Sequence, residues 1–267
     1  GCYIMPVVIA AGAVDTGRAV VSWNNLATAA NVTASTAAVG YPAVNVVDPA
    51  TWSSWLATAV PAWVSMDAGS AVQVDSVGIA GHNAGSEGAV LAVQHSPDGT
   101  TWTTAATVTP TNDEDLLILF PLVSARYWRV YVTGAVCNIA VVIFSKKLAF
   151  PHSPIDSYTP LNHARTYTKE FNDSIKGALL GNRVMATGAE TDVDLGFVDR
   201  WFVDGPLVGF ESHYNQGNTF FYAGWPAGKP LDMGYCRAMG DDEIIAVEYV
   251  EADKLANLSF SVRAYVG

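Results

Sequence analysis

The sequence predicts a mainly β chain: a β-sandwich (jelly roll) over residues 1–150, followed by a smaller α+β unit over residues 151–267. Three observations carry that expectation. Residues 91–103, LAVQHSPDGTTWT, alternate their side chains into an Asp98-Gly99 turn and resume beyond it, the pattern of a hairpin with one buried face. Short β-rich runs recur at close spacing, punctuated by Gly and Pro, with no helical repeat among them. Pro151, Pro154 and Pro160 then fall close together, where missing amide donors disfavour both a central strand and a helix, and so mark a linker.

In the first unit the runs 72–81 (VQVDSVGIAG), 90–96 (VLAVQHS), 115–120 (DLLILF), 127–132 (YWRVYV) and 138–144 (NIAVVIF) read as strands. Beyond the linker, 169–184 (KEFNDSIKGALLGNRV) reads as strand material. Residues 196–217 carry helix-like apolar spacing at Val198, Trp201 and Phe202, which Gly205-Pro206 interrupts, so two short helices are expected there. The last stretches, 243–250 and 258–266, alternate as strands.

Composition bounds the partners. Half of the 267 residues are hydrophobic and 15% are charged, which suits a β-rich particle that buries surface against neighbours. The net charge of −11 divides into −4 over residues 1–150 (5 basic, 9 acidic) and −7 over 151–267 (9 basic, 16 acidic). An acidic surface repels phosphate, so nucleic acid is not an expected partner. The apolar run from Ile4 to Val14 is about half of the roughly 20 residues a membrane span needs, and no basic segment precedes it, so neither membrane insertion nor export is expected. Cys2, Cys137 and Cys236 are too widely separated for metal-ligand spacing or a disulfide framework and read as buried thiols.

No catalytic constellation is legible, and no cofactor is expected. The five histidines show no HExxH spacing, and no nucleophile elbow, P-loop or dinucleotide fingerprint stands between a strand and a helix. The acidic pairs Asp192/Asp194 and Asp241/Asp242 read as solvated turn residues rather than glycosidase carboxylates. The chain is therefore not expected to be an enzyme. Arg126 and Arg129 are assigned to no ligand, alternation placing Arg129 on the strand face opposite Trp128.

The succession NNLATAANVTAS (24–35), YPAVNVVDPATWSSW (41–55), PAWVSMDAGSAVQVDSVGIAGHN (61–83), the Asp98-Gly99 hairpin and ARYWRVYV (125–132) resembles the discoidin, or coagulation-factor C-type, module of the galactose-binding-like β-sandwiches. Such modules bind ligands and rarely catalyse. The resemblance places Trp52 and Trp55 in a loop at the barrel end, where an exposed ring beside polar side chains is what a sugar face requires, and places Trp63 and Trp102 in the core. The turn around His82, Asn83 and Glu87 adds polar side chains at a loop tip. Trp52, Trp55, His82, Asn83 and Glu87 are thus the candidates for glycan or partner contact, although His82 reads first as a hydrogen-bonding plug of its turn and only second as a contact residue. Some family members hold calcium through an Asp in the first loop, for which Asp48 and Thr51 match in type. The last strand offers Val141 and Val142 where the family's acid is expected, so no metal is predicted.

Residues 218–236, NTFFYAGWPAGKPLDMGYC, together with IAGHN (79–83) and the S-x-D-G-x-x-W hairpin (96–102), resemble a group of tailed-bacteriophage virion proteins of the tail tip or baseplate. That resemblance implies a structural protein present in several copies in the virion and made in the host cytoplasm. Its partners are other tail subunits and a host-surface carbohydrate. Phe220, Phe221, Tyr222 and Trp225 are the expected assembly interface, with the second unit's own core as their alternative place. The competing reading is a carbohydrate-binding module joined to a small accessory domain in a non-viral bacterial protein.

Overall fold

The alternating runs form strands throughout and gather into two eight-stranded sheets among the described residues. The computed structural model describes residues 7–154, 158–250 and 254–266; Cys2 lies outside them. In chain order the strands up to residue 150 are β1 (Val7–Ile9), β2 (Val20–Ser22), β3 (Val32–Ala34), β4 (Trp55–Leu56), β5 (Ala62–His82), β6 (Val90–Ser96), β7 (Thr103–Val108), β8 (Leu116–Thr133), β9 (Asn138–Ser145) and β10 (Leu148–Ala149). A one-turn helix, α1 (Ala84–Glu87), follows β5. The second half holds β11 (Arg165–Asp173), β12 (Leu179–Asp199), α2 (Arg200–Val203), α3 (Pro206–Asn215), β13 (Phe220–Ala223), β14 (Met233–Arg237), β15 (Ala246–Val250) and β16 (Leu255–Ala264). The two short helices meet at Gly205-Pro206, where proline is accepted at the first turn of α3 because its missing donor is not needed there.

The first sheet runs β4-β9-β5-β8-β6-β7, with β3 added to β5 and β1 added to β8, the last as a parallel pair. β5 and β8 are its spine. Their pairing shifts register between Asp67 and Val72, and both strands are exposed there, so they bend together and fold the sheet over one apolar core. One layer sends in Val64, Met66, Val93, Trp128 and Val130; the other sends in Val77, Ile79, Ile118, Val142 and Phe144. This is the β-sandwich that the alternation predicts.

The second sheet runs β10-β2-β13-β14-β16-β12-β11, with β15 on β16. Two of its strands, β2 and β10, come from residues before 150. It covers the outer face of the sandwich layer that contains Gly78: Ala80, Leu117, Leu119, Val141 and Ile143 pack against Val20, Phe221, Ala223, Met233 and Tyr235. Its far face, with Phe220, Tyr222, Phe260 and Val262, packs under Phe202 of α2 and Phe210 of α3. β13 is therefore buried on both sides, and Phe220, Phe221 and Tyr222 are each 0% exposed. The expectation that these three rings form an interface with another subunit is corrected on that ground, because the chain itself covers them. Trp225 alone of the four remains partly open, at 42% exposure.

Polar ties cross the seam between the halves. Ser22, Ser76 and Ser145 share hydroxyl hydrogen bonds of 2.6–3.1 Å, and the Tyr235 hydroxyl donates to the Pro49 carbonyl. The Asp115 carboxylate accepts the Tyr235 amide at 2.9 Å, and burial pushes its pKa up to about 7 despite that bond and one from the Gly81 amide. A folded-state pKa above the unfolded value means the folded chain holds an extra proton between about pH 4 and pH 7, so stability is fullest below that window and falls as pH rises through it. Asp115→Asn should flatten this decline. Thermal midpoints across that range check it, and parallel curves for the two chains would refute it.

Candidate functional site

The hairpin turn builds the site. Ser96 Oγ accepts the amide of Gly99 at 2.9 Å, and the Asp98 carboxylate accepts the amides of Thr100 and Thr101 at 2.8 and 2.9 Å. These amide bonds hold the Asp98 carboxyl well below the usual carboxylate range. Gly99 takes the positive φ of 74° that a branched residue resists, and it sits against the Tyr127 ring. So pinned, the turn carries Trp102 across the outside of the sandwich.

Below it every second side chain of the strands lies on the outer face, Ser65 among them being buried with its hydroxyl donating to the Trp128 carbonyl. Trp63 lies beside Tyr131, Ser65 beside Arg129 and Asp67 beside Tyr127 across β5 and β8; on β6, Gln94 lies beside Arg129. Their inward neighbours Val64, Met66, Trp128 and Val130 are fully buried. Trp63, Trp102, Tyr127 and Tyr131 are each partly exposed, and they lie on the layer away from the second sheet. The guanidinium carbon of Arg129 stands 3.9 Å from the centre of the Trp102 ring and 4.7 Å from that of Tyr131, both within cation–π range. Gln94 Oε1 accepts from Arg129 Nε at 2.8 Å, and Gln94 Nε2 donates to Thr104 Oγ1 at 3.0 Å, which fixes the plane of the guanidinium. Arg126 forks onto Asp67 at 2.7 and 2.8 Å and holds that carboxyl down at about 2.

The loop end predicted for contact is mostly structural. Trp55 is 0% exposed; it opens β4, pairs with Ile139 and donates its indole N–H to the Thr36 carbonyl at 2.7 Å. A buried ring with its donor satisfied is a plug, so Trp55 is corrected from contact to core. His82 takes the plug role that its turn suggests rather than the contact role: it is 4% exposed, its Nδ1 accepts the Ala84 amide, and burial keeps its pKa below the ordinary value against the opposing effects of a hydrogen bond to the Glu114 backbone and the charge of Asp113. Asn83 ties loops together, its Oδ1 accepting the Asn138 amide and its amide group reaching Glu87 at 3.4 Å. Trp52, at 88% exposure, and Glu87 are open to solvent. Trp63 and Trp102, expected in the core, stand instead on the outer face, because the rings that fill the sandwich are Trp55 and Trp128.

The Asp48 carboxylate accepts the Ala50 amide and borders an open cleft of about 350 Å³ between the halves, with Trp23, His213 and Asn218 opposite. Thr51 lies against Gly81. Among the described residues no three His, Cys, Asp or Glu side chains gather as a metal-ligand set. Cys137 and Cys236 are free and buried, and burial raises the pKa of both thiols. No described helix is long and apolar enough to cross a membrane.

Residues 31–143 match the F5/8 type C domain. The match takes in the sandwich from β3 to β9 and spans under half of the chain. Solved structures similar to this half include chitosan-binding module 1 from the chitosanase/glucanase of Paenibacillus sp. IK-5 (26% identity, 46% of this chain and 99% of that one, TM-score 0.41). Module 2 of the same enzyme, in complex with chitotriose, is 22% identical over 46% of this chain and 100% of its own, with a TM-score of 0.40. The CBM32 of AlyQ in complex with 4,5-unsaturated mannuronic acid is 22% identical over 46% and 95%, with a TM-score of 0.39. No curated protein matches the chain.

Proposed function

We propose that this chain is a non-catalytic structural protein of a bacteriophage tail, in the tail-tip or baseplate region, whose discoidin-like half contacts a host-surface glycan. The glycan contact rests on one observation: Trp63, Tyr131, Arg129 and Trp102 form a row on the outer face of a rigid sandwich layer. Sugars offer apolar C–H on one face and hydroxyls at the rim, so partly exposed rings flanked by Gln94 and the Asp67–Arg126 pair supply both kinds of contact.

The intact chain should bind on a glycan array, and the Trp63→Ala/Tyr131→Ala pair should weaken that binding by about tenfold or more, given what aromatic contacts contribute at such sites. Trp52→Ala should bind as the unaltered chain does. Binding that survives the pair and disappears with Trp52→Ala returns the contact to the loop end beside Asn83 and Glu87. Absence of binding to any host-surface polysaccharide removes the reading.

The tail setting rests on the motifs at 79–83, 96–102 and 218–236 and on one surface feature. The β11–β12 hairpin projects with Tyr167, Phe171, Ile175, Leu179, Leu180 and Val184 exposed, apolar area of the kind that other subunits cover. Deleting residues 166–184 should leave glycan binding intact and abolish incorporation into particles. Purified particles that lack the full-length chain would overturn the virion setting and favour a binding module of a non-viral bacterial protein.

A further inference from the structure

We propose that the Trp63–Tyr131–Arg129–Trp102 face selects acidic saccharides, a hexuronate carboxylate docking on the guanidinium of Arg129; this rests on the glycan reading above. Of the five basic residues in the first 150, Arg18, Arg126 and Lys147 each hold a carboxylate, those of Asp15, Asp67 and Asp75, and the exposed Lys146 bonds the neutral Gln73, with no ring contact among the described residues. Arg129 holds none. Its one side-chain hydrogen bond goes from Nε to the neutral Gln94, and no described residue takes its terminal nitrogens. The residue is therefore a full positive charge, held in a fixed plane by Gln94 and Thr104 and flanked by two aromatic rings, on the surface of a chain whose net charge is −11. Partial burial among the rings disfavours that charge. A carboxylate arriving from outside would offset this cost.

Guanidinium geometry decides the chemistry. The two terminal nitrogens present parallel N–H donors spaced for the two oxygens of a carboxylate, and a fork already held flat forfeits little entropy on binding. A neutral hexose finds the rings and Gln94 but nothing for the fork. Rings and fork together match a sugar that carries its charge on C5, so that the pyranose lies against Trp63, the register neighbour of Tyr131, while the carboxylate reaches Arg129.

Polygalacturonate and its fully methyl-esterified form share one backbone and differ in charge, so the intact chain can be tested without any variant. Binding to the acid form should exceed binding to the ester by about tenfold or more, as a charge-assisted bidentate contact implies. Arg129→Gln should abolish that preference, and Arg129→Lys, which keeps charge and loses the fork, should recover only part of it. Equal affinity for acid and ester, with loss in Trp63→Ala/Tyr131→Ala, would overturn the acidic selectivity and leave the glycan reading standing. Equal binding of dextran sulfate, erased by salt along with the polygalacturonate, would overturn it in favour of a general polyanion surface. Binding of neither form by the unaltered chain, while it binds a neutral glycan on the array, would overturn the inference and leave the glycan reading standing.

Discussion

Gly78→Ala should destabilise the chain by about 3 kcal/mol or more, the upper range for overpacking a rigid interior, although it adds a single methyl group. Gly78 lies on β5 between Leu117 of β8 and Ile143 of β9, on the face that meets the second sheet. A methyl there would overlap the Phe221 ring, even Cγ standing only 2.6 Å away. The ring cannot step aside. It is 0% exposed, its centre lies 5.0 Å from that of the tilted Tyr235 ring, and its strand is paired on both edges, with β2 and β14. The added volume therefore separates the two sheets or bends one of them. Urea melts should show the loss, with Gly17→Ala as the control, since nothing lies within 4 Å of a methyl at Gly17. Combined with Phe221→Ala, the Gly78→Ala chain should lose less than the two single changes together, because the methyl then fills part of the cavity. A melt indistinguishable from that of the control would sink this account of the seam.

That seam also marks the boundary of what the sequence discloses. The hairpin at 91–103 is legible because alternation and an Asp-Gly turn are local signals, and both survive in β6 and β7. The runs 115–120 and 138–144 were legible as strands. Their unbroken apolar character carries more: Leu116 and Ile118 face one core while Leu117 and Leu119 face another, so a continuous run records burial on two sides. FFYA at 220–223 is the same signal. It reads as surface awaiting a partner only because the cover for Phe221 comes from strands more than 70 residues earlier, a pairing that no local pattern announces.

Trp52 is exposed as its loop suggests, but Trp55 on one side and Trp63 and Trp102 on the other exchange the places that local context suggests, for a related reason. Loop position suggests exposure and strand position suggests burial, but Trp55 caps the core from a two-residue strand while Trp63 points out of a long one. The outward row was half-visible in RYWRVYV, where Tyr127, Arg129 and Tyr131 share a face. What could not be read was which of the two layers the second sheet would cover. Burial of one outer face and exposure of the other is a property of the whole chain, and it alone separates an aromatic binding surface from an aromatic core.

Lys147→Met should cost the chain about 3–5 kcal/mol, the penalty for leaving a buried charge without its partner. Asp75 and Lys147 are 7% and 2% exposed, and both carboxylate oxygens are engaged at 2.7 Å, Oδ1 by the Lys147 amide and Oδ2 by its ammonium. The place matters. Asp75 follows the bend of β5, and Lys147 lies between β9 and β10, where the chain leaves the sandwich for the second sheet. Removing the ammonium strands a carboxylate in the seam, and the backbone donor alone cannot replace the lost charge. Replacing both residues, Asp75→Leu with Lys147→Met, should restore most of the loss, because an apolar pair of similar volume avoids the desolvation that the ion pair had to overcome. Urea denaturation of the unaltered chain, the two single variants and the double variant gives the coupling between them. A double variant as unstable as Lys147→Met would mean that the Asp75 contact to the Lys147 amide, which fixes how the strand crosses over, outweighs the charge pair itself.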